Sequence, residues 1–305
     1  MSAQRLWGSA QKRLSGSRAL GFTTQPPCAT LRFVDFSRCA AASPAPPAPA
    51  ALGVAVHAAF LGRAEHDALL AEASAALARR AFERGHWDGV IAHFREEALP
   101  LARASPALRA AALRAHALFP PLPLPLPLAL PQPRTLLPQA HLLELEARGR
   151  ISRHVDSVKF SGGVVAGLCL DSDAVLRLSV SDEAAAEAGG EGGQSSKRGV
   201  GVGLGAGDEE KKEEKEEKEG EEGSIDVLLP RGCLYVLSGE ARYLWAHAIA
   251  DGAPRFRGEP VLRRRRVSIM LRDALDEAAE RPTPLAGSFA ERVLRSRRTQ
   301  REAVR

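Results

Sequence analysis

The second half of the chain contains short runs rich in valine, leucine and isoleucine, bounded by glycine, proline and acidic residues, and this pattern predicts a mainly β fold. The predicted strands are Leu142–Leu145, His154–Phe160, Val164–Leu170, Val175–Val180, Ile225–Leu229, Cys233–Leu237 and Arg266–Arg272. Upstream, alanine and leucine recur at helical spacing, which predicts helices over Glu65–Arg84 and Ser105–Leu118. Short strands with flanking helices are typical of a jelly-roll barrel.

Two stretches interrupt this pattern and predict inserts without catalytic residues. Proline alternates with leucine from Phe119 to Pro133; because proline removes backbone donors and disfavours helix, we predict a polyproline-like spacer over residues 119–134. The second stretch, Asp182–Glu222, contains fourteen acidic and six basic residues among glycine, alanine and serine. It has no apolar face that could pack, so we predict a disordered insert over residues 182–223.

The N-terminus has the composition of a targeting segment. The first acidic residue is Asp35, and the basic residues before it are Arg5, Lys12, Arg13, Arg18 and Arg32. A basic, serine-containing and acid-free segment is typical of a mitochondrial transit peptide, which we predict over residues 1–40; the alternative is a disordered basic tail. An Ala/Pro linker follows over residues 41–52, so the mature fold is expected to start near Gly53.

Composition agrees with one enzyme domain plus these appendages. A hydrophobic content of 45% in 305 residues is enough for one barrel-sized core. The four cysteines (Cys28, Cys39, Cys169 and Cys233) have no C-x-x-C spacing, which argues against a disulfide scaffold. No run approaches twenty apolar residues, so no transmembrane segment is expected. The net charge of +5 permits a nucleic-acid partner without establishing one.

His154-Val155-Asp156 and the distant His247 predict a metal site. In an extended strand, residues i and i+2 point to the same side, so His154 and Asp156 can bind one ion from one face. A histidine from a neighbouring strand then completes two imidazoles and one carboxylate, the facial set of non-haem Fe(II) oxygenases. Each part alone is weak, because most H-x-D triplets and most single histidines are ordinary strand, loop or core residues. The combination predicts an iron site.

The run Arg266-x-Ser268-x-Met270-x-Arg272 predicts an anion site beside that metal. Alternation along a β-strand places Arg266, Ser268 and Arg272 on one face. A dicarboxylate such as 2-oxoglutarate fits this arrangement, because one end can chelate the iron while the far carboxylate meets a guanidinium fork. The alternative for the four consecutive arginines, Arg263–Arg266, is a solvated or polyanion-binding face.

In this order, H-x-D, H and R-x-S-x-M-x-R resemble the motifs of the AlkB-type Fe(II)/2-oxoglutarate-dependent dioxygenases, whose last motif has the form R-x-N-x-T-x-R. Further stretches resemble the mitochondrial branch of that family: Leu145–Gly149, His154–Phe160, Ala166–Leu168, Leu234–Leu237, Gly239–Tyr243 and Arg265–Ile269. The resemblance covers about residues 50 to 273 apart from the inserts. It implies a double-stranded β-helix (jelly-roll) core, an AlkB-like dioxygenase domain over residues 53–273 and a basic C-terminal tail over residues 274–305.

The resemblance also implies roles for single residues. It implies three iron ligands, His154, Asp156 and His247. Arg266 would form a salt bridge with the distal carboxylate of 2-oxoglutarate, and Arg272 would lie nearer the end that chelates the iron. Tyr235 would donate a phenolic hydrogen bond to this co-substrate; the alternative is a tyrosine of the core. Ser268 stands where many relatives have asparagine and would keep a shorter side-chain contact.

These features together predict a dioxygenase of the mitochondrial matrix that uses Fe(II), 2-oxoglutarate and O2 to hydroxylate or demethylate its substrate. The substrate class stays open between methylated bases in mitochondrial RNA and a protein or lipid-related metabolite. A third alternative, implied by the resemblance, is a regulator of programmed necrosis and fatty-acid metabolism that acts partly without catalysis. Trp87 in His86-Trp87-Asp88 is predicted either to face the substrate or to plug the barrel.

Overall fold

The computed structural model describes residues 28–39, 45–122, 132–189, 222–249, 252–276 and 283–304 of the chain. Parts of five predicted segments therefore lie outside the described residues. These parts are residues 1–27 and 40 of the transit peptide, residues 41–44 of the linker, residues 123–131 of the Pro-Leu insert, residues 190–221 of the acidic insert, and residues 277–282 and 305 of the C-terminal tail.

Antiparallel strands dominate the described chain, and helices flank them. The strands are β1 (Val34–Asp35), β2 (Val54–His57), β3 (Glu83–Gly85), β4 (Ile91–Pro100), β5 (Gln139–His154), β6 (Val165–Cys169), β7 (Ala174–Val180), β8 (Ile225–Leu229), β9 (Leu234–Leu237), β10 (Trp245–Ile249), β11 (Arg255–Phe256), β12 (Glu259–Pro260) and β13 (Arg266–Arg272). The helices are α1 (Cys28–Leu31), α2 (Pro49–Leu52), α3 (Arg63–Leu77), α4 (Pro106–His116), α5 (Asp182–Gly189), α6 (Gly239–Tyr243) and α7 (Phe289–Val304). Among these described helices, none combines the length and the hydropathy needed to span a bilayer.

Strand β5 connects two groups of strands, one that begins with β10 and one that begins with β13, because it is long enough to pair with both of these strands. Hydrogen-bonded neighbours follow the order β1-β8-β7-β10-β5-β13-β6-β9-β2, with β4 on β5 and β3 on β4. In the first half of β5, Leu145 lies opposite Arg266 of β13, whereas the last residue, His154, lies opposite His247 of β10. The antiparallel sheet curls around these pairings into a jelly-roll barrel with flanking helices, and the predicted fold class is confirmed.

Apolar side chains cover both faces of the curled sheet. Met270 of β13 belongs to the inner cluster, with Leu143, Leu145 and Tyr235. Val267, Ile269 and Leu271 of the same strand belong to an outer cluster that packs against α3 and α4. Alternation along β13 therefore separates the two faces, as the sequence pattern predicted. Each leucine buried in this way contributes roughly 1.5–3 kcal/mol to the free energy of unfolding.

The two long helices on the outer face only partly match their predicted bounds. The start of α4 is confirmed, because the Ser105 side chain accepts a hydrogen bond from the Leu108 N–H and proline occupies the next position. The predicted end of the first long helix at Arg84 is wrong: α3 ends at Leu77, and Glu83–Gly85 forms β3. Pairing of β3 with the long strand β4 overrides the weak helical pattern there.

The C-terminal helix α7 belongs to the fold, although its sequence predicted a basic tail. Phe289 is 1% exposed, and its ring stacks on that of Trp245 with 5.9 Å between centroids and 20° between planes. Ala290 and Val293 join the same inner cluster. The helix is amphipathic: a short apolar face packs on the barrel, and the many arginines lie on the rest of its surface. The arginine-rich composition therefore predicted a tail and not a packed helix.

Ordered packing also begins upstream of Gly53, within the segment predicted as transit peptide. Val34 of β1 pairs with Val227 of β8, and Phe33 and Cys39 are buried in the inner cluster. The beginning of the acidic insert is likewise structured, since residues 182–189 form α5 and Ala184 is buried. Both segments were predicted from composition to lie outside the fold. They are ordered because their few apolar side chains bury against apolar surface that exists only in the folded barrel.

Candidate metal and co-substrate site

His154 and His247 are placed side by side by strand pairing. His154 is the last residue of β5 and lies directly opposite His247 in the middle of β10. Their ring centroids are 4.3 Å apart. The Nδ1 atom of His154 lies 2.9 Å from the Ser152 carbonyl oxygen, so an Nδ1–H donor there leaves Nε2 available as a ligand atom.

Asp156 completes the cluster from the coil segment after β5. The strand predicted over His154–Phe160 does not form: β5 ends at His154, and the residues that follow are coil and then turn. The Asp156 Oδ1 atom is 3.2 Å from the Nε2 of His154 and 3.6 Å from the Nε2 of His247. His154 and Asp156 therefore converge as predicted, but for a different reason. The prediction placed both residues on one face of a strand, whereas the chain leaves the strand after His154 and turns Asp156 towards the histidines.

These three side chains form a donor set that fits a facial metal site. One ligand atom from each lies within 4.8 Å of the other two, and the atoms are two imidazole nitrogens and one carboxylate oxygen. The second oxygen of Asp156 is held by Arg272, whose Nε and Nη2 lie 2.8 and 2.7 Å from Oδ2. This division of the carboxylate leaves Oδ1 directed at the histidines, as monodentate coordination requires.

The protonation states of His247 and Asp156 suit metal binding. Burial works to lower the pKa of His154, but the hydrogen bond with Asp156 and the charge of that carboxylate raise this pKa above its usual value. Burial, helped by the neighbouring His154, lowers the pKa of His247 to about 3. Burial works to raise the pKa of Asp156, but the hydrogen bond with His154 and the charge of Arg272 hold that pKa well below its usual value. His247 is therefore neutral and Asp156 ionised at physiological pH, which are the forms that coordinate a cation.

A second H-x-D triplet shows what the tertiary structure adds. In the turn between β3 and β4, the His86 Nδ1 atom lies 2.8 Å from Asp88 Oδ1, a spacing like that of the pair in the barrel. Among the described residues, however, three candidate ligand atoms converge only at His154, Asp156 and His247. The H-x-D triplet alone does not distinguish these two positions. The third candidate ligand, His247, distinguishes them.

Arg242 is a residue of this site that sequence reasoning missed. It is buried at the end of α6, where its Nη1 donates to the Asp156 carbonyl at 2.8 Å and its Nε donates to the Gly162 carbonyl at 3.1 Å. Its Nη2 donates to the Ser161 hydroxyl at 3.1 Å. Because α6 leads directly into β10, this guanidinium connects the loop after Asp156 to the strand of His247. An arginine five residues before a candidate ligand was visible in the sequence, but its carbonyl partners were not.

Arg266 is a buried cation that faces the inside of the barrel. It is 4% exposed, its Nη1 donates to the Ser268 hydroxyl at 3.1 Å, and its Nε is buried without a hydrogen-bond partner. Within the described ranges, no carboxylate lies close enough to form an ion pair with it. A buried guanidinium with an unused donor is costly unless an anion completes its hydrogen bonds, so the residue fits a carboxylate ligand.

Tyr235 lies in the same interior, packed on a glycine. Its ring passes so close to Gly167 that a Cβ at that position would lie 2.4 Å from the Tyr235 Cε1 atom. The phenol donates a hydrogen bond to the Met270 sulfur at 3.4 Å, and burial raises its pKa above the usual value. In the structure Tyr235 is therefore a core side chain whose hydroxyl reaches the face that carries Arg266, Met270 and Arg272.

Two aromatic side chains lie exposed near the metal cluster. Trp87 is 88% exposed, so the alternative in which it plugs the barrel is wrong. Its turn is attached to the end of β5 by the Ser152 N–H, which donates to the Val90 carbonyl at 2.7 Å. Phe160, in the loop that Arg242 holds, is 81% exposed. Both aromatic rings are exposed in segments that adjoin the cluster along the chain: Phe160 follows Asp156 by four residues, and the turn of Trp87 bonds to Ser152, two residues before His154.

Two imidazoles and a carboxylate converge in a jelly-roll barrel whose interior also contains the buried guanidinium of Arg266. This combination defines the class of non-haem, 2-oxoglutarate-dependent oxygenases. Sequence comparison identifies relatives of this kind. The chain is 31% identical over 265 residues to the alpha-ketoglutarate-dependent dioxygenase alkB homolog 7, mitochondrial, of Mus musculus, covering 85% of this chain and 92% of the relative. It is 34% identical over 215 residues to the protein of the same name from Bos taurus, covering 70% and 75%.

The chain therefore belongs to the alkB-homologue family of 2-oxoglutarate-dependent dioxygenases, and it is an enzyme of that family, which uses Fe(II), 2-oxoglutarate and O2. No family model matches the sequence.

Solved structures show weaker similarity. A prolyl-4-hydroxylase from Pseudomonas putida superposes with a TM-score of 0.41 at 16% identity, over 75% of this chain and 95% of that one. HygX from Streptomyces hygroscopicus, solved with nickel and 2-oxoglutarate, superposes with a TM-score of 0.42 at 15% identity, over 78% and 88%. The assignment to the family rests on the sequence relatives.

Proposed function

We propose that His154, Asp156 and His247 are the iron ligands of this dioxygenase. The observation that supports this is their convergence: two imidazoles and a carboxylate oxygen lie within 4.8 Å of one another, although His247 is far from His154 and Asp156 in sequence. When bound, Fe(II) at this position couples the oxidation of 2-oxoglutarate to succinate and CO2 with hydroxylation of a substrate C–H bond by O2.

We infer that the arginines of β13 hold the co-substrate. Arg266 would bind the distal carboxylate of 2-oxoglutarate, since its buried Nε has an unused hydrogen and Ser268 fixes the other side of its fork. Arg272 would lie near the chelating end, because it already contacts the Oδ2 atom of Asp156. Tyr235 would donate to the co-substrate by exchanging its present bond to Met270 for a carboxylate oxygen.

The remaining contacts of the site prepare it for that chemistry. Arg272 keeps one oxygen of Asp156 directed away from the histidines, and the Ser152 carbonyl sets the orientation of the His154 ring. Burial of His247 lowers its pKa and so keeps its imidazole deprotonated. Each of these features fixes a ligand before the ion binds, which lowers the cost of ordering the site.

We propose methylated bases in mitochondrial RNA as the substrate class, and the mitochondrial matrix as the location. Trp87 and Phe160 support this, because exposed aromatic rings near the metal cluster offer faces on which an unstacked base can lie. The net charge of +5 favours contact with phosphates, and both curated relatives are named as mitochondrial. Hydroxylation of an N-methyl group gives a hemiaminal, which releases formaldehyde and leaves the demethylated base.

The test is succinate formation from 2-oxoglutarate by protein loaded with Fe(II) under anaerobic conditions and then exposed to O2. Mitochondrial RNA should stimulate succinate and formaldehyde in equal amounts, whereas an unmethylated transcript of the same sequence should stimulate neither. Trp87→Ala and Phe160→Ala should each weaken that stimulation and leave the basal rate unchanged. Succinate that no RNA stimulates would move the search to proteins and lipid-related metabolites. A protein that binds iron but forms no succinate would instead favour a regulatory role without catalysis.

A further inference from the structure

A second pocket lies at the end of the barrel where β13 begins, and arginines dominate its wall. We call it the arginine pocket. It has a volume of about 260 Å³, and Asp173 is its only acidic lining residue among the described residues. The arginines that line it are Arg38, Arg177, Arg255, Arg263, Arg264 and Arg266.

Asp226 is a buried carboxylate that reaches two of these arginines. It lies 2.8 Å from Arg177 and 3.8 Å from Arg38. Arg263 donates to the Ala147 and Gly149 carbonyls, and Arg255 donates to a carbonyl in its own turn. Carbonyl oxygens satisfy hydrogen bonds without cancelling charge. Six arginines and one aspartate line the pocket, so the lining itself is predominantly positive. In a concave surface, such a lining concentrates the field on an anion.

The size of the pocket restricts the ligand. Sites for drug-sized molecules have volumes of roughly 300–1,000 Å³. At about 260 Å³, the arginine pocket suits a small ion and cannot enclose a nucleotide chain. Guanidinium forks match the oxygens of phosphate, sulfate and carboxylate groups, so the chemistry points to a compact oxyanion with at least two charges.

The arginine pocket lies apart from the proposed iron site. None of the three proposed iron ligands lines it. Arg266 and Arg272 are six residues apart on β13, which places their Cα atoms about 20 Å apart, and it is Arg272 that contacts Asp156. Arg266 is the exception, because it lines the arginine pocket and also faces the barrel interior, where we place the distal carboxylate of the co-substrate.

We propose that the arginine pocket is a second anion site, which binds a small oxyanion of at least two negative charges and thereby weakens the binding of 2-oxoglutarate. The effect on 2-oxoglutarate binding rests on the proposed role of Arg266, whereas oxyanion binding to the pocket does not. An oxyanion in the pocket competes for the hydrogens of Arg266 and repels a second anion on the other side of that guanidinium. By linkage, the co-substrate weakens oxyanion binding by the same factor.

The experiment titrates the full chain with sulfate, a divalent oxyanion that does not precipitate transition metals, at an ionic strength held constant with chloride. The test variant is the double substitution Arg255→Ala/Arg264→Ala, which removes two exposed arginines of the pocket. The matched control is Arg79→Ala/Arg103→Ala, which removes the same charge from exposed positions outside the pocket. Calorimetry gives the sulfate Kd of each protein. A second titration measures 2-oxoglutarate binding to the Mn(II)-loaded proteins with and without sulfate.

The expected result is one sulfate per chain in the wild type and the control, with binding at least tenfold weaker in the test variant. Sulfate should also raise the Kd of 2-oxoglutarate about fivefold in the wild type, at the low end of typical coupling, and much less in the test variant. Equal sulfate affinity in all three proteins, or no binding, would overturn the site. Sulfate binding with an unchanged 2-oxoglutarate Kd would overturn the coupling.

Two further outcomes distinguish the alternatives. A short single-stranded RNA that displaces sulfate from the wild type would assign the pocket to nucleic-acid phosphates and overturn the small-anion proposal. If Mn(II)-loaded protein fails to bind 2-oxoglutarate at all, the proposed function fails, while the direct sulfate titration still decides whether the pocket binds an anion.

Discussion

His154 and His247 lie opposite each other in the β5–β10 pair, with 4.3 Å between their ring centroids. Backbone hydrogen bonds between two strands therefore fix the spacing of two candidate ligands before any ion is present. Asp156 joins them from the coil segment after β5. Arg242 bonds to the backbone of that segment, and Arg272 bonds to the Asp156 carboxylate. Substitutions of the candidate ligands, of the arginines around them and of the core should therefore have separate effects on metal binding, on co-substrate binding and on stability.

Asp156→Asn keeps the shape of the side chain and removes its charge. We expect the affinity for Mn(II) to fall by at least about tenfold to a hundredfold, the range seen for changes around metal ligands, and succinate formation to be lost. The fold should persist, because the β5–β10 pairing does not depend on the carboxylate. Metal titration and circular dichroism measure the two effects. Asp88→Asn in the other H-x-D triplet is the matched control, and an equal loss of affinity in both variants would contradict the assignment.

Arg266→Ala should raise the Kd of 2-oxoglutarate with little change in the affinity for metal. Loss of a hydrogen-bonded charged partner costs about 1.5–3 kcal/mol, or roughly tenfold to a hundredfold in Kd. Arg266→Lys should fall in between, because it keeps the charge and loses the planar fork. Binding is measured by calorimetry on the Mn(II)-loaded protein, with Arg103→Ala as the surface control. An unchanged Kd in Arg266→Ala would remove this residue from the co-substrate site.

Tyr235→Phe distinguishes a co-substrate contact from a core tyrosine. The variant keeps the ring on Gly167 and deletes only the hydroxyl, which bonds to the Met270 sulfur in the structure. If the phenol donates to 2-oxoglutarate, the Kd should rise by about three- to tenfold, because one hydrogen bond contributes roughly 0.5–1.5 kcal/mol. The unfolding midpoint should hardly change. An unaltered Kd would leave Tyr235 as a packing residue.

Arg242→Lys should weaken metal binding although Arg242 would not touch the metal. Lysine keeps the charge but cannot reach the Asp156 carbonyl, the Gly162 carbonyl and the Ser161 hydroxyl together. We expect about tenfold weaker Mn(II) binding, together with faster amide hydrogen exchange confined to residues 157–162. Arg257→Lys, which also removes an arginine bonded to two carbonyls, is the control. Faster exchange throughout the barrel would indicate a general structural role and contradict the positioning role.

Phe289→Ala should destabilise the whole domain. Its ring is 1% exposed and stacks on Trp245, next to the start of the strand that carries His247. Truncation of a buried phenylalanine costs about 3–5 kcal/mol, which urea denaturation of the metal-free chain would measure. Phe160→Ala makes the same chemical change at a position that is 81% exposed and should change the stability by less than about 0.5 kcal/mol. Similar stability for both variants would show that α7 is not part of the cooperative fold.

Local pattern was sufficient for part of the barrel. Strand Arg266–Arg272 was predicted with the bounds that the structure has, because alternation places charged and apolar residues on opposite faces and needs no distant partner. Strand Ile225–Leu229 was predicted equally well. In contrast, β4 and β10 were missed. Strand β4 is rich in charged residues and becomes a strand by pairing with β5 over nearly its whole length, and β10 is a short Trp-Ala-His-Ala-Ile segment whose order comes from both neighbours.

The sequence by itself determined the chemistry of the site: which side chains could be ligands, which cations could meet a carboxylate, and the family that shares this order of motifs. The tertiary structure decided which H-x-D triplet gains a third ligand, where Arg242 finds its carbonyl partners, and that Phe289 and Val34 are buried. It also placed six arginines around one pocket. The physical reason is that donor type and strand period are local properties, whereas convergence and burial depend on contacts between residues far apart in the chain.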